Sequence, residues 1–259
     1  MRKNLLVFSL TVVLLQSCFK KKEEKVTIQT KTETKTFDSI QESKTIVKDI
    51  QYSVQVETID SVQFHAAQLK SAYPQEKFEK IEDFTEAKKL LKGVVEFAGK
   101  DEDGESQAVK KIRFRNGTVF QDENDFDGSF FVAYFPKEDI LLCEGGHTTD
   151  MSFNLKNGQK TEDTGNPDLI VTSPGKEFRL NGSFGGQKCF FYFIQKKIGN
   201  EYVKVIQLDK EFERLTGIWL CIIGKSFWAD EKTLYLTEES NYTDAGLKKR
   251  YFRIKLTEQ

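Results

Sequence analysis

The sequence predicts a mainly β fold: an antiparallel meander forming an open sheet or sandwich, with α+β character and two short helices on its amino-terminal side. Three observations carry that expectation. From Cys189 to Ile194 every residue is apolar, with Cys189, Phe191 and Phe193 on one face and Phe190, Tyr192 and Ile194 on the other, a pattern suited to a central strand covered on both sides. A partner strand begins at Tyr202, after Ile198-Gly199-Asn200-Glu201, which supplies the Gly and Asn of a tight hairpin. Finally, Asn116-Gly117 separates Ile112-Arg113-Phe114-Arg115 from Val119-Phe120, a strong short-range hairpin signal.

Taken in order, Ile50, Tyr52, Val54 and Val56 alternate with Gln51, Ser53, Gln55 and Glu57, as in a strand with one wet face. Asp60 or Ser61 then caps a helix whose buried stripe is expected to be Val62, Ala66, Leu69 and Tyr73, with Pro74 as its stop. A second helix is expected to bury Phe78, Ile81, Phe84, Ala87 and Leu91 and to end at Gly93. Beyond it the period becomes two, through Val94, Val95 and Phe97, the acidic turn 101–104 and the Asn116-Gly117 hairpin. Further strands are expected at 130–135, 140–143, 151–155, 169–172, 178–181, the central hairpin, 218–223, 233–236 and 251–256.

The segments around the turns at Pro136, Pro174 and Asp230 each resemble the hairpin of a β-propeller blade. Their unequal spacing and small number favour the open or sandwiched sheet, leaving an incomplete propeller-like sheet as the alternative.

The amino terminus carries the clearest targeting signal. Arg2 and Lys3 precede the apolar run Leu5 to Leu15, too short to span a bilayer but suited to a signal-peptide core, and Leu15-Gln16-Ser17-Cys18 follows. This ending resembles the lipobox of bacterial lipoproteins, which implies removal of residues 1–17 and lipid modification of Cys18, with an ordinary secretory signal as the alternative. Lys20-Lys21-Lys22-Glu23-Glu24 lacks the Asp that resembles an inner-membrane retention signal and looks like the export signal of Bacteroidetes surface lipoproteins, or equally a solvated stalk. The expected location is the cell envelope, anchored by lipid in the outer membrane. Residues 18–48, rich in Lys, Thr, Glu and Gln, read as a flexible tether. Residues 49–259 read as one β-rich domain, with a strand and two helices over 49–93 and the antiparallel sheet over 94–259. Asp38-Ser39-Ile40 and Asp60-Ser61-Val62 look like O-glycosylation acceptors of the same envelope proteins, although such triplets also recur by chance.

Composition excludes one partner class. With 38% hydrophobic and 12% aromatic residues the chain can bury a sizeable core. Without residues 1–17, which hold Arg2 and Lys3, 37 basic side chains face 40 acidic ones. No basic field is available for nucleic acid.

Candidate chemistry is sparse. The chain has two histidines; His65, on the first helix, reads as a surface residue. His147 lies in Glu144-Gly145-Gly146-His147-Thr148-Thr149-Asp150, where a glycine pair admits close approach of a ligand and His147 with Asp150 could bind it or exchange protons. An ordinary wide turn is the preferred reading. The acidic loop 122–128 places Glu123, Asp125, Asp127 and Gly128 like the first half of a calcium loop, but Tyr134 stands where the bidentate Glu belongs, so a solvated turn is preferred there too. Asn181-Gly182-Ser183-Phe184-Gly185-Gly186-Gln187 has neither a serine-elbow pattern nor a phosphate-loop Lys-Ser/Thr and reads as a hairpin turn. Cys143, Cys189 and Cys221, all in apolar strands, are expected to be free core thiols, with one disulfide as the alternative.

These features favour a noncatalytic envelope module on a tether, binding a partner protein, glycan or envelope component, with no cofactor or metal. Trp219, Trp228 and the aromatics of 126–135 are its possible contact residues. The alternative is an envelope or polysaccharide hydrolase working through paired carboxylates, and a purely structural subunit is the third possibility.

Overall fold

The computed structural model describes residues 51–71, 73–101, 104–121, 128–243 and 246–258. All of these fall in the unit Val47–Gln259. The expectations for the signal peptide, Cys18, the tether, Ser39, Asp125 and Asp127 fall on residues outside that set.

The chain opens with β1 (Tyr52–Ile59), α1 (Ser61–Lys70) and α2 (Phe84–Leu90). Next come β2 (Val95–Phe97), the ribbon β3 (Lys100–Asp101) and β4 (Gly104–Glu105), β5 (Ala108–Arg113), β6 (Val119–Gln121), β7 (Ser129–Phe135), β8 (Ile140–Gly145) and β9 (Thr149–Asn154). After the short α3 (Thr161–Thr164) follow β10 (Val171–Thr172), β11 (Phe178–Phe184), β12 (Phe190–Ile198), β13 (Glu201–Gln207), α4 (Leu208–Thr216), β14 (Ile223–Trp228), β15 (Thr233–Thr243) and β16 (Gly246–Glu258).

All the strand pairings among the described residues are antiparallel, as the alternating sequence predicts. They form three larger open sheets: β1-β16-β15-β14, β10-β11-β12-β13, and β2-β5-β7-β8-β9 with β6 also on β5. The three propeller-like segments are the hairpins β7–β8, β10–β11 and β14–β15, and no sheet among the described residues closes into a barrel. The first strand pairs along its whole length with the last, Tyr52 opposite Glu258 and Ile59 opposite Tyr251.

The two four-stranded sheets share a core. Val54, Trp228, Leu234, Leu236, Phe252 and Ile254 from one meet Phe178, Leu180, Tyr192 and Ile194 from the other. Trp228 donates its indole N–H to the Val171 carbonyl at 2.9 Å, which satisfies its polar atom while the ring is buried. The six-stranded sheet has its own core with α2, built on Leu91, Ile112, Phe131, Leu141 and Phe153. Its strand β8 is buried from Ile140 to Cys143, with Phe135 and Ala133 packed on its second face. Burial around Cys143 pushes its thiol pKa well up, so it stays an inert neutral group.

Several expectations fail for identifiable reasons. In α1 the buried residue is Phe64, whose ring meets Phe227 and Tyr251 at 5.2 Å each and Tyr235 at 6.3 Å. Burying one large aromatic is worth about 1.5–3 kcal/mol. That orients the helix so that Val62 (74% exposed), Ala66 and Leu69 (83%) face solvent rather than the core. Tyr73 lies beyond the helix end and donates its hydroxyl to the Thr172 carbonyl. Ser61 is exposed in the first turn, after an Asp60–Gln63 capping box.

The second helix is shorter than expected because Asp83 accepts the Glu86 N–H and starts it at Phe84. Ile81 instead bridges to Tyr134, and Phe78 packs against Ala133 and Phe135. Two further α-helices were not expected. In α4, Leu208 and Phe212 are buried one turn apart and Gly217 caps the end in the left-handed conformation at φ 69°.

The strand expected at 218–223 is absent. Leu220 is buried and Trp219 is 58% exposed, so the alternation is real, but no ladder forms before Ile223. The segment is tied by a Cys189–Cys221 disulfide with Cα atoms 4.6 Å apart and by the Phe190 N–H to the Cys221 carbonyl. The expectation of three free thiols is therefore overturned. The two cysteines are 32 residues apart, and only the folded path of α4 brings them together.

Candidate functional site

β12 was expected to be covered on both faces, and its two faces turn out to have different jobs. Tyr192 and Ile194 enter the shared core, with Phe178 and Leu180 beside them on β11. The opposite face carries the cross-strand pairs Ser183–Phe191, Asn181–Phe193 and Arg179–Gln195. It is met by the six-stranded sheet and α3, which leave one cleft at each end.

At the Arg179 end lies a polar cleft of about 250 Å³, lined among others by Glu76, Glu138, Thr164 and Tyr202. Arg179 is 5% exposed. It donates to Glu138 at 2.8 Å and Gln195 at 2.7 Å, and its guanidinium stacks over the Tyr202 ring at 3.9 Å. Glu76 accepts from Lys137 and Lys176, which hold its carboxyl below its ordinary pKa. Burial raises Tyr202, with the Arg179 charge opposing the shift. This cleft's innermost charge is already paired within the protein.

At the Phe191 end is a larger cleft of about 460 Å³. Its walls are Phe120, Met151, Phe153, Phe184, Phe191 and Phe193, and Phe191 is 49% exposed. A half-exposed Phe beside an apolar cleft is the kind of surface that marks a ligand site. Local backbone prepares it. Gly185 has no Cβ, and one added there would lie 2.3 Å from the Phe191 ring, so only glycine lets that ring lie against the turn. Gln187 and Lys188 both sit at positive φ, 49° and 68°, strained for side-chain residues, just before the disulfide at Cys189.

Two acidic side chains in this cleft differ. Asp150, on β9, accepts the Phe184 N–H at 2.8 Å and the Asn166 amide at 3.0 Å, both at Oδ2, and so stitches β9 to β11. Asp209, in the first turn of α4, is 7% exposed, and its Oδ1 accepts from Gln207 Nε2 at 2.7 Å. Lys160 lies over the Phe120 ring at 4.6 Å, and Lys210 also lines the cleft.

Of the candidates read from sequence, Asp150 is thus in a cleft wall. His147 lies in the 3-10 turn Gly146–Thr148, three residues before it, and its side chain is outside the described set. Trp228 is fully buried and is no contact residue, as are Phe131 and Phe135, whereas Trp219 and Phe130 are exposed. Sequence reading missed Asp209, Gln207 and the cleft role of Phe191. The available signal was Phe191 itself, apolar on the face of β12 that the shared core does not need. Among the described residues no group of His, Cys, Asp and Glu could hold a metal ion, and no helix is long and apolar enough to cross a membrane.

No protein-family model matches the chain, and comparisons with curated proteins and with solved structures find no match.

Proposed function

We propose that the chain is a noncatalytic binding module of the bacterial cell envelope, held by lipid on Cys18 at the outer membrane, and that its ligand occupies the Phe191 cleft. The cleft carries this reading: an open, aromatic-walled hollow beside strained backbone, at the opposite end of the same strand face from a cleft filled with paired charge. The Cys189–Cys221 disulfide supports export, because such bonds persist in oxidising compartments. The lipobox-like Leu15-Gln16-Ser17-Cys18 supports the anchor.

The hydrolase reading has one observation in its favour: Asp150, Glu162 and Asp209 line the same cleft. Against it, Asp150 already accepts two protein donors that join the cleft walls, a positioning role rather than that of a free acid or base.

The anchor is tested in the native host, where Cys18→Ala is expected to release soluble protein and abolish labelling by a fatty-acid analogue; continued labelling would refute it. The cleft is tested by titrating an apolar environment-sensitive fluorophore into the full chain. Phe191→Ala should weaken its binding about fivefold or more while shifting stability by less than about 1 kcal/mol. Unchanged binding would place the ligand elsewhere.

A further inference from the structure

Resting on the cleft reading above, we propose that this site recognises a cationic arm on an otherwise apolar ligand, specifically a lysine or arginine side chain flanked by apolar residues of a peptide. The argument begins with Gln207. Its Nε2 donates both to Asp209 Oδ1 at 2.7 Å and to the Tyr192 carbonyl at 3.3 Å. Two acceptors on one side fix the amide orientation, with nitrogen toward them and Oε1 away. Neither Gln207 Oε1 nor Asp209 Oδ2 takes a hydrogen bond from a described residue, and no ion pair joins Lys210 or Lys160 to Asp209. The sealed, partnerless polar atoms among the described residues are Ser152 Oγ and Thr164 Oγ1. The two open oxygens of Gln207 and Asp209 are therefore reachable from the cleft that both residues line.

Asp209 is 7% exposed, and its Oδ2 is left without a protein donor in a cleft that aromatic side chains also line, so an entering cation can complete this carboxylate where water otherwise would. Its open partners are acceptors alone, so the complement must bring several N–H donors, as an ammonium or guanidinium does. Phe191, 49% exposed, and Phe184 line the same cleft and suit both the cation and the apolar groups beside it, whereas the Phe193 ring already has Lys204 over it at 5.8 Å.

The test is calorimetric titration of the full-length chain with acetyl-Phe-Lys-Phe-amide and with the same peptide carrying norleucine for Lys. The account expects the Lys peptide to bind about tenfold or more tightly, the size of a charge-assisted hydrogen bond. Asp209→Asn should erase that preference, and Lys210→Met, which removes a competing cation from the rim, should widen it. Equal binding of the two peptides by the unaltered chain overturns the inference, and that result depends on no variant folding. A preference that survives Asp209→Asn overturns the assignment to this carboxylate. If neither peptide binds while the apolar fluorophore still does, the cationic assignment fails and the cleft reading stands; loss of both defeats both.

Discussion

The Arg179 cleft and the Phe191 cleft are bounded by the same face of the same two strands, β11 and β12, and they end up as opposites. Moving along that face from Arg179–Gln195 through Asn181–Phe193 to Ser183–Phe191 replaces charge with rings. At the Arg179 end the buried guanidinium is answered by Glu138, Gln195 and the Tyr202 ring, all from the chain itself. At the Phe191 end, rings and a buried carboxylate are left facing an open volume of about 460 Å³. The difference teaches that burial of charge is not by itself a mark of function. A buried charge with its partners in place holds the fold together, and one with an oxygen left open toward a cleft can take a ligand.

That contrast can be broken or sharpened by substitution. The largest effect belongs to the polar cleft. Arg179→Met should cost about 3–5 kcal/mol in denaturant unfolding by stranding Glu138 and unstacking Tyr202. The surviving folded fraction should bind the Lys peptide unchanged, and a binding defect at full occupancy of the native state would join the two clefts functionally.

Joint replacement of Cys189 and Cys221 by Ser should cost slightly less, about 3–4 kcal/mol for a closed loop of this size. Because the bridge follows the strained turn that seats Phe191, this variant should also weaken ligand binding, unlike Arg179→Met. Equal affinity in calorimetry would show that the turn holds its shape unaided.

Gly185→Ala should cost about 1–3 kcal/mol through overpacking against the Phe191 ring. It should lower affinity without touching Asp209, and a crystal structure showing the ring unmoved would contradict this.

The smallest effect involves Lys196, the neighbour of Gln195 on β12, and the end of β16. A hydrogen bond from Tyr52, then one from Lys196, holds the Glu258 carboxyl down to about 2 from an ordinary 4.5. Its folded value is depressed, so its contribution is complete above about 4.5 and is lost as pH falls toward 2. Protection factors of the β1 amides, corrected for the intrinsic pH dependence of exchange, should therefore fall over that window, and Glu258→Gln should remove that fall; a fall that persists would assign it to another group.

How far the molecule was legible in its sequence follows from how local each signal was. The Asn116-Gly117 hairpin, the β12–β13 hairpin and the alternation of β1 depend on neighbours in sequence, and they form as read. What stayed hidden depends on residues distant in sequence. Phe64 orients α1 because Phe227, Tyr235 and Tyr251 arrive from β14, β15 and β16. The disulfide needs α4 to lead Cys221 back to Cys189. Of the candidate site, only Asp150 was foreseen, and the loop that drew attention to it resembled a turn. Asp209 looked like any acidic residue in a helix's first turn, and its exceptional feature, burial in a cleft that residues of β11 and β12 also line, has no local signature. The most informative residue was Phe191, one apolar side chain more than a core strand requires.

The most direct measurement is amide chemical-shift mapping of the full-length chain titrated with acetyl-Phe-Lys-Phe-amide. The account predicts saturable shifts centred on Phe184, Gly185, Phe191, Gln207 and Asp209, with the Arg179 and Tyr202 amides still. Shifts centred on Arg179 and Tyr202, or none at any concentration that saturates the apolar fluorophore, would contradict it.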